Sequence, residues 1–292
     1  MIRKNAADRT LHVAVYLVLT AMTAVTLLPF ANVLAKSVSA EWAVVSGQVG
    51  VWPIDFQLDT MRYVITSQPF VRAFIVSLIV TVAGSLFSIL LTAITAYPLS
   101  KRHLPGMRGI MVAFVFTMMF SGGTIPNYLL IRQLGLMNSL WSLILPALIS
   151  VFNMLIVKSY YENLPESLEE SARMDGARNL TLLFRILLPL SMPVLATIAL
   201  FYAVYYWNDF YHPMLYINSS SLKPLQLYLR DIVMDADTTQ AGVSKTADDL
   251  LNISPEGIRA ATVVASTVPI VLVYPYLQKY FIKGVLIGSV KG

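Results

Sequence analysis

Six apolar runs restrict what this 292-residue chain can fold into more than any other feature. They lie near residues 11–35, 70–98, 109–130, 139–158, 189–217 and 257–281. A helix of about 20 residues, rising about 1.5 Å per residue, crosses a hydrocarbon core of about 30 Å. Lipid offers the backbone no hydrogen-bond partners, so runs this long must close their bonds internally, as helices do. Charged residues are only 13% of the chain, near half the share of about 25% in soluble domains. The expected fold class is therefore all-α: a polytopic membrane protein with six transmembrane helices. The third run is interrupted by Ser121-Gly-Gly-Thr-Ile-Pro-Asn127, which should end or bend its helix. The first run exceeds the roughly 7–15 apolar residues of a signal peptide and reads as a retained span.

Charge sets the expected orientation. Thirteen of the 21 Lys and Arg lie before the first run, between the second and third, between Lys158 and Arg185, and from Lys279 at the end of the sixth run onward. Six spans put all four segments on one face. The positive-inside bias then places both termini, the 158–188 loop and the 282–292 tail in the cytoplasm, and the 218–256 loop outside. The net charge of +5 is spread over these segments with no basic stripe, which argues against a nucleic-acid partner. Cysteine is absent, and His12, His103 and His212 are far apart, so no metal site is expected. Arg259, at the outer mouth of the sixth span, should snorkel or cap the outer loop.

One segment is out of character. From Lys158 to Arg185, nine of 28 residues are charged. Burying nine charges in lipid would cost more than about 20 kcal/mol, so this segment is a loop. It is patterned for helix, turn, helix. Pro165 suits a helix start, Glu166, Glu169 and Glu170 follow near the positive helix end, and Leu168 and Ala172 share a face. Asp175-Gly176 then breaks the helix, and a second helix from about Ala177 should stop at Pro189. On these features alone the segment could be a plain elbow between two spans.

The spacing says more. Glu170, Ala172 and Gly176 are followed by nine residues, then Ile186, Leu188 and Pro189. This resembles the EAA loop of binding-protein-dependent ABC importers, whose permeases share E-A-A-x-x-x-G, nine residues, I-x-L-P. Ser171 stands where the family has Ala. Residues 125–146, 205–217 and 279–292 resemble the carbohydrate-importer permeases of the maltose/glycerol-phosphate type, and Ser121–Pro126 resembles the branch for complex oligosaccharides, uronates included. The resemblance implies a type I ABC importer permease architecture in a bacterial cell membrane. It implies that Glu170, Ala172, Asp175, Gly176 and Ala177 dock a cytosolic ATPase, and that a tail with Gly288 and Gly292 reaches between two ATPase copies. The other implied partners are a second permease subunit, an extracellular lipid-anchored solute-binding protein and an oligosaccharide. ATP and Mg would be used by the ATPase. Gly242–Thr246 is not a P-loop, lacking its spacing, so this chain is expected to be non-catalytic and to bind no cofactor.

The fifth run holds a second cluster. At helical spacing Phe201, Tyr205, Asn208 and His212 share one face, with Tyr202, Tyr206 and Asp209 beside it. Tyr205, Asn208, Asp209 and His212 form a candidate substrate path, since sugars bind aromatic faces and hydrogen-bonding side chains. The alternative is structural: Tyr and Trp crowd membrane interfaces, and Asn or Asp links helices, as Asn153 would. Two rival classes remain at this point. An ion-coupled secondary transporter would need paired intramembrane charges, and a membrane enzyme would need clustered acids and histidines; neither pattern is evident. A permease of the same class for a non-sugar solute also stays open, as does a homodimer.

Overall fold

A computed structural model describes residues 6–101, 104–234 and 254–289, and all regular structure among them is helical. The chain divides into two compact units, Met1–Phe70 with Asp231–Pro269, and Val71–Arg230 with Ile270–Gly292. Candidates at Gly242–Thr246 and Gly292 lie outside the described residues.

In the first unit, α1 (Ala6–Ser37) carries the first apolar run. No residue of its most apolar window is buried within the chain, and its mean hydropathy is 2.1. After it, α2 (Glu41–Val45) and α3 (Asp59–Thr66) fold into a polar-edged knot around Ala35, Ala43, Val44 and Val49. Asn32 Nδ2 ties this knot down by donating to the carbonyls of Val49 and Gly50, at 3.0 and 2.7 Å.

The second unit takes up α4 (Gln68–Ser100), then α5 (Met107–Met119), α6 (Thr124–Gln133), α7 (Trp141–Ile144) with a 3-10 turn to Ala147, and α8 (Val151–Glu162). It continues with α9 (Glu166–Met174), α10 (Asn179–Leu182), α11 (Leu188–Leu190), α12 (Met192–Asn208), α13 (Tyr211–Tyr216) and the first part of α14 (Leu225–Met234), whose residues from Asp231 belong to the first unit. The last helix, α15 (Pro255–Ser289), begins in the first unit. The core of the second unit mixes small residues, Ala93 and Ala96, with Met154, Val157, Leu187 and Ile198, all at or near zero exposure. Small residues let helices approach closely, which matters in lipid, where dispersion and hydrogen bonds replace the hydrophobic effect as the force between helices.

Three of the six runs are single helices, α1, α4 and α15; the others are helix pairs bent by more than 40°, giving six spans if each pair counts as one. The expected break at Ser121–Asn127 is present: α5 and α6 meet at 114°, with Gly123 at φ +87. The fourth run bends too, by 47°, between the 3-10 turn that holds Pro146 and the start of α8 at its N-cap Ser150.

The second helix of the loop ends within a residue of the expected stop at Pro189, at Leu190 before an 81° bend at Ser191. A π-helical turn, Leu183–Leu187, precedes the proline. A proline ring collides with the carbonyl four residues back, and the widened turn moves that carbonyl aside. One sequence expectation needs correction: Phe201, Tyr205, Asn208 and His212 do not share one face. α12 ends at Asn208, Asp209 is extended at ψ 115, and His212 belongs to α13.

Candidate functional site

The polar segment folds as the pattern requires, and its residues divide the work. Asp175 caps α9, and Gly176 takes the left-handed conformation at φ +80. Gly176 N donates to Arg173 O at 3.0 Å and Ala177 N to Ala172 O at 2.9 Å. These are the two bonds of a Schellman motif, which satisfies carbonyls that a helix end otherwise leaves orphaned. Ala172 and Ala177 both pack into the main core, Ala172 at 6% exposure. The small residue thus lets α9 lie close against its own bundle. Glu170, Asp175 and Gly176 face outward, and a Cβ added at Gly176 would meet nothing within 4 Å.

Sequence reasoning missed the inward side of α9. Glu169 pairs with Lys101, just past the end of α4, and both side chains are largely buried, at 16% and 18% exposure. Lys101 Nζ also sits 5.3 Å from the centre of the Tyr97 ring, and Tyr97 meets Tyr161 edge-on at 6.3 Å. Beside this pair opens a polar cavity of about 610 Å³, whose lining includes Ser100, Glu162, Glu166, Glu170 and Arg173. The charge alternation was visible in the sequence, but which carboxylate points inward depends on where α4 ends in space.

A second site forms where the α7–α8 pair breaks. A helix broken inside an apolar layer frees backbone groups that lipid cannot satisfy. Two buried tyrosines of α12 satisfy them. Tyr206 Oη lies 3.3 Å from Ile144 O and donates to it, while Ser150 N donates to Tyr202 Oη at 3.0 Å. Each hydroxyl also bonds α4: Tyr202 to Thr92 at 2.7 Å and Tyr206 to Ser88 at 3.0 Å. The Tyr206 ring presses on Gly84, where an added Cβ would come within 2.7 Å of it.

Beside this junction runs an open groove of about 390 Å³, lined by Phe152, Asn153, Phe201, Tyr205, Ser150 and the flanking Ala147 and Ile149. Asn153, expected to link helices, is buried at its edge. Of the four candidate path residues, Tyr205 lines the groove and the other three are absent from its lining. Asn208 is exposed and its Nδ2 donates to Val204 O at 2.9 Å. Asp209 caps α13, accepting from His212 N at 3.2 Å and pairing with His212 Nδ1 at 2.9 Å. Gly288 lies in the last turn of α15. Arg259 Nε donates to Ile232 O at 3.2 Å, capping the end of α14. Among the described residues no group of acids and histidines is arranged to hold a metal.

Apolar helices, bent helix pairs and an exposed, glycine-terminated α9 are the features of an integral membrane transport subunit. Residues 106–287 match the family described as binding-protein-dependent transport system inner membrane component, and the chain belongs to that family. It is similar to Protein LplC of Bacillus subtilis, at 44% identity over 98% of this chain and 96% of that protein. It is also similar, at 43% over 98% of this chain and 99% of that one, to YtcP of the same organism, a polygalacturonan/rhamnogalacturonan transport system permease protein. Among solved structures it resembles a chain of a bacterial ABC transporter involved in the import of the acidic polysaccharide alginate. The TM-score is 0.88 and the identity 31%, over 96% of this chain and 100% of that one. The fold is that of an ABC importer permease, and the chain is an inner-membrane component.

Proposed function

We propose that this chain forms half of the translocation path of an ATP-driven oligosaccharide importer, and that residues 163–189 couple it to a separate cytosolic ATPase. One observation carries the coupling role: a helix whose outward residues, Glu170 and Gly176, occupy the family's motif positions while the same helix is seated on the bundle through Ala172. An outward carboxylate offers an ion pair to a basic group in an ATPase cleft. The open space at Gly176 leaves room for the wall of that cleft. Closure of two ATPases on ATP and Mg would drive two such helices as rigid bodies, and the bent pairs attached to them would swing.

The sugar assignment is supported by the relatives, which include a polygalacturonan/rhamnogalacturonan permease, and by the similarity to an alginate importer. Both names describe polyuronate or uronate-bearing chains, so a uronate-containing oligosaccharide is the substrate class proposed. The groove at the α7–α8 break offers Phe152, Phe201 and Tyr205 as faces for sugar rings, with Asn153 beside them. A second permease, two ATPase copies and an extracellular solute-binding protein complete the assembly proposed.

Purification of the tagged chain from its native membrane should bring down an ATPase and a second permease. In proteoliposomes with the binding protein, Gly176→Trp should abolish uptake of labelled oligogalacturonate while the chain still inserts. A Cβ at 176 meets nothing within the chain, but any side chain strains the left-handed turn there. Gly176→Ala, which carries that strain without the bulk, should keep most of the uptake, so that the further loss in Gly176→Trp reports on what docks from outside. Uptake at the parental rate would remove the coupling assignment.

A further inference from the structure

Adjacent glutamates on α9 point to different tasks. Glu170 is exposed, whereas Glu169 turns inward on the face that also buries Ala172, three residues on. Its partner Lys101 is 68 residues away in sequence, just beyond the end of α4. A push on α9 reaches α8 and α10 through the chain itself, because short connections join them. It reaches the end of α4 through side chains. The Lys101–Glu169 pair is the ion pair of that contact, beside a hydrogen bond from Arg173 of α9 to Tyr97 of α4, and it is supported by Lys101 over Tyr97 and by Tyr97 against Tyr161.

We propose that Lys101 and Glu169 form a clamp that makes the end of α4 move with α9, so that force delivered to the coupling helix is transmitted laterally into the second span. The inference rests on the coupling role of α9 but concerns residues outside the family's motif. Both side chains are mostly withdrawn from water, so their attraction is stronger and less screened by salt than that of an exposed pair. Losing one partner leaves the other's charge stranded in a half-buried site beside the polar cavity. Such a clamp resists separation of α4 from α9 while leaving Glu170 free to engage a partner. Lys101 and Glu169 are positioning residues, acting on transport through the helices they join.

The test uses the whole assembled transporter in proteoliposomes, reading solute taken up per ATP hydrolysed. Glu169→Gln and Lys101→Gln should each keep the ATPase bound during purification yet lower that ratio about fivefold or more, the low end of usual coupling energies. The swap Lys101→Glu with Glu169→Lys should restore the ratio to within about twofold, since the pair is remade with its sign reversed. Single variants that transport per ATP as the parent does would overturn the clamp. So would a swap that leaves the ratio as low as in the singles, or single variants that lose the ATPase during purification. Failure of the underlying coupling role shows separately, as a Gly176→Trp complex with the parental ratio.

Discussion

Tyr202 and Tyr206 show how much a single hydroxyl does in this molecule. The rings fill space between α4 and α12, but the hydroxyls hold open backbone groups at the break between α7 and α8. Tyr206→Phe keeps the ring against Gly84 and removes the donor to Ile144 O. In water such a loss would cost about 1–3 kcal/mol. Between membrane helices the measured range centres near about 0.6 and reaches about 1.7 kcal/mol, because the unfolded chain in lipid finds other partners. The expected loss is therefore at the lower value, read as a reduced denaturation midpoint in detergent. A larger loss in Tyr206→Phe than in Ser88→Ala would assign the effect to the Ile144 carbonyl rather than to α4.

Among the elements, α15 depends most on a remote residue. Glu41 of α2 reaches its N-terminus, where one carboxylate oxygen accepts from Ser254 N at 2.9 Å and the other from Thr60 Oγ1 at 2.5 Å. A carboxylate there also faces the positive end of the helix. Lys36 of α1 pairs with Glu256 in the same turn. Gly257 leaves room for this arrangement: a Cβ at that position would stand 2.5 Å from Glu41 Oε1, so the carboxylate would have to move off its hydrogen-bond partners. Gly257→Ala normally favours a helix by up to about 1 kcal/mol. Here it should destabilise, because the displaced carboxylate gives up hydrogen bonds worth about 1.5–3 kcal/mol each when charged. In a Glu41→Ala background the same change should turn neutral or stabilising. A thermal-unfolding double-mutant cycle in detergent checks this, and a Gly257→Ala that stabilises the parent would refute the cap.

At the scale of the whole molecule, the exposed apolar surface of α1 and the bent pairs fit a chain whose surroundings are lipid and other subunits. The orientation proposed from the positive residues has a direct measurement, since the chain has no cysteine of its own. Gln48→Cys and Ser171→Cys both fall at exposed positions. A membrane-impermeant thiol reagent should label Gln48→Cys in intact cells and Ser171→Cys only after permeabilisation. Labelling of Ser171→Cys from outside would put α9 beyond the reach of a cytosolic ATPase and end the importer mechanism as drawn.

Hydropathy was enough to count the apolar runs and to call the fold all-α, because burying a charge or an unpaired backbone group in lipid is too costly for the pattern to be ambiguous. The turn at Asp175-Gly176 was legible for a similar reason: few residues adopt φ near +80, and the helix end needs one. The bend at Ala147–Ser150 was not legible, although Pro146 flagged the neighbourhood; the stop near Pro189 was, but the π turn before it was not. Whether a proline stops a helix, or a π turn absorbs it, depends on which neighbours can satisfy the freed backbone groups. Asp209 was misplaced on a continuous stripe for the same reason, its carboxylate being taken up in capping α13. The inward turn of Glu169 toward Lys101 joins residues far apart in the chain, and no periodicity within α9 encodes where α4 will end. Local chemistry and the lipid solvent decided the elements; the meeting of distant side chains, decided only on packing, settled what each charged residue does.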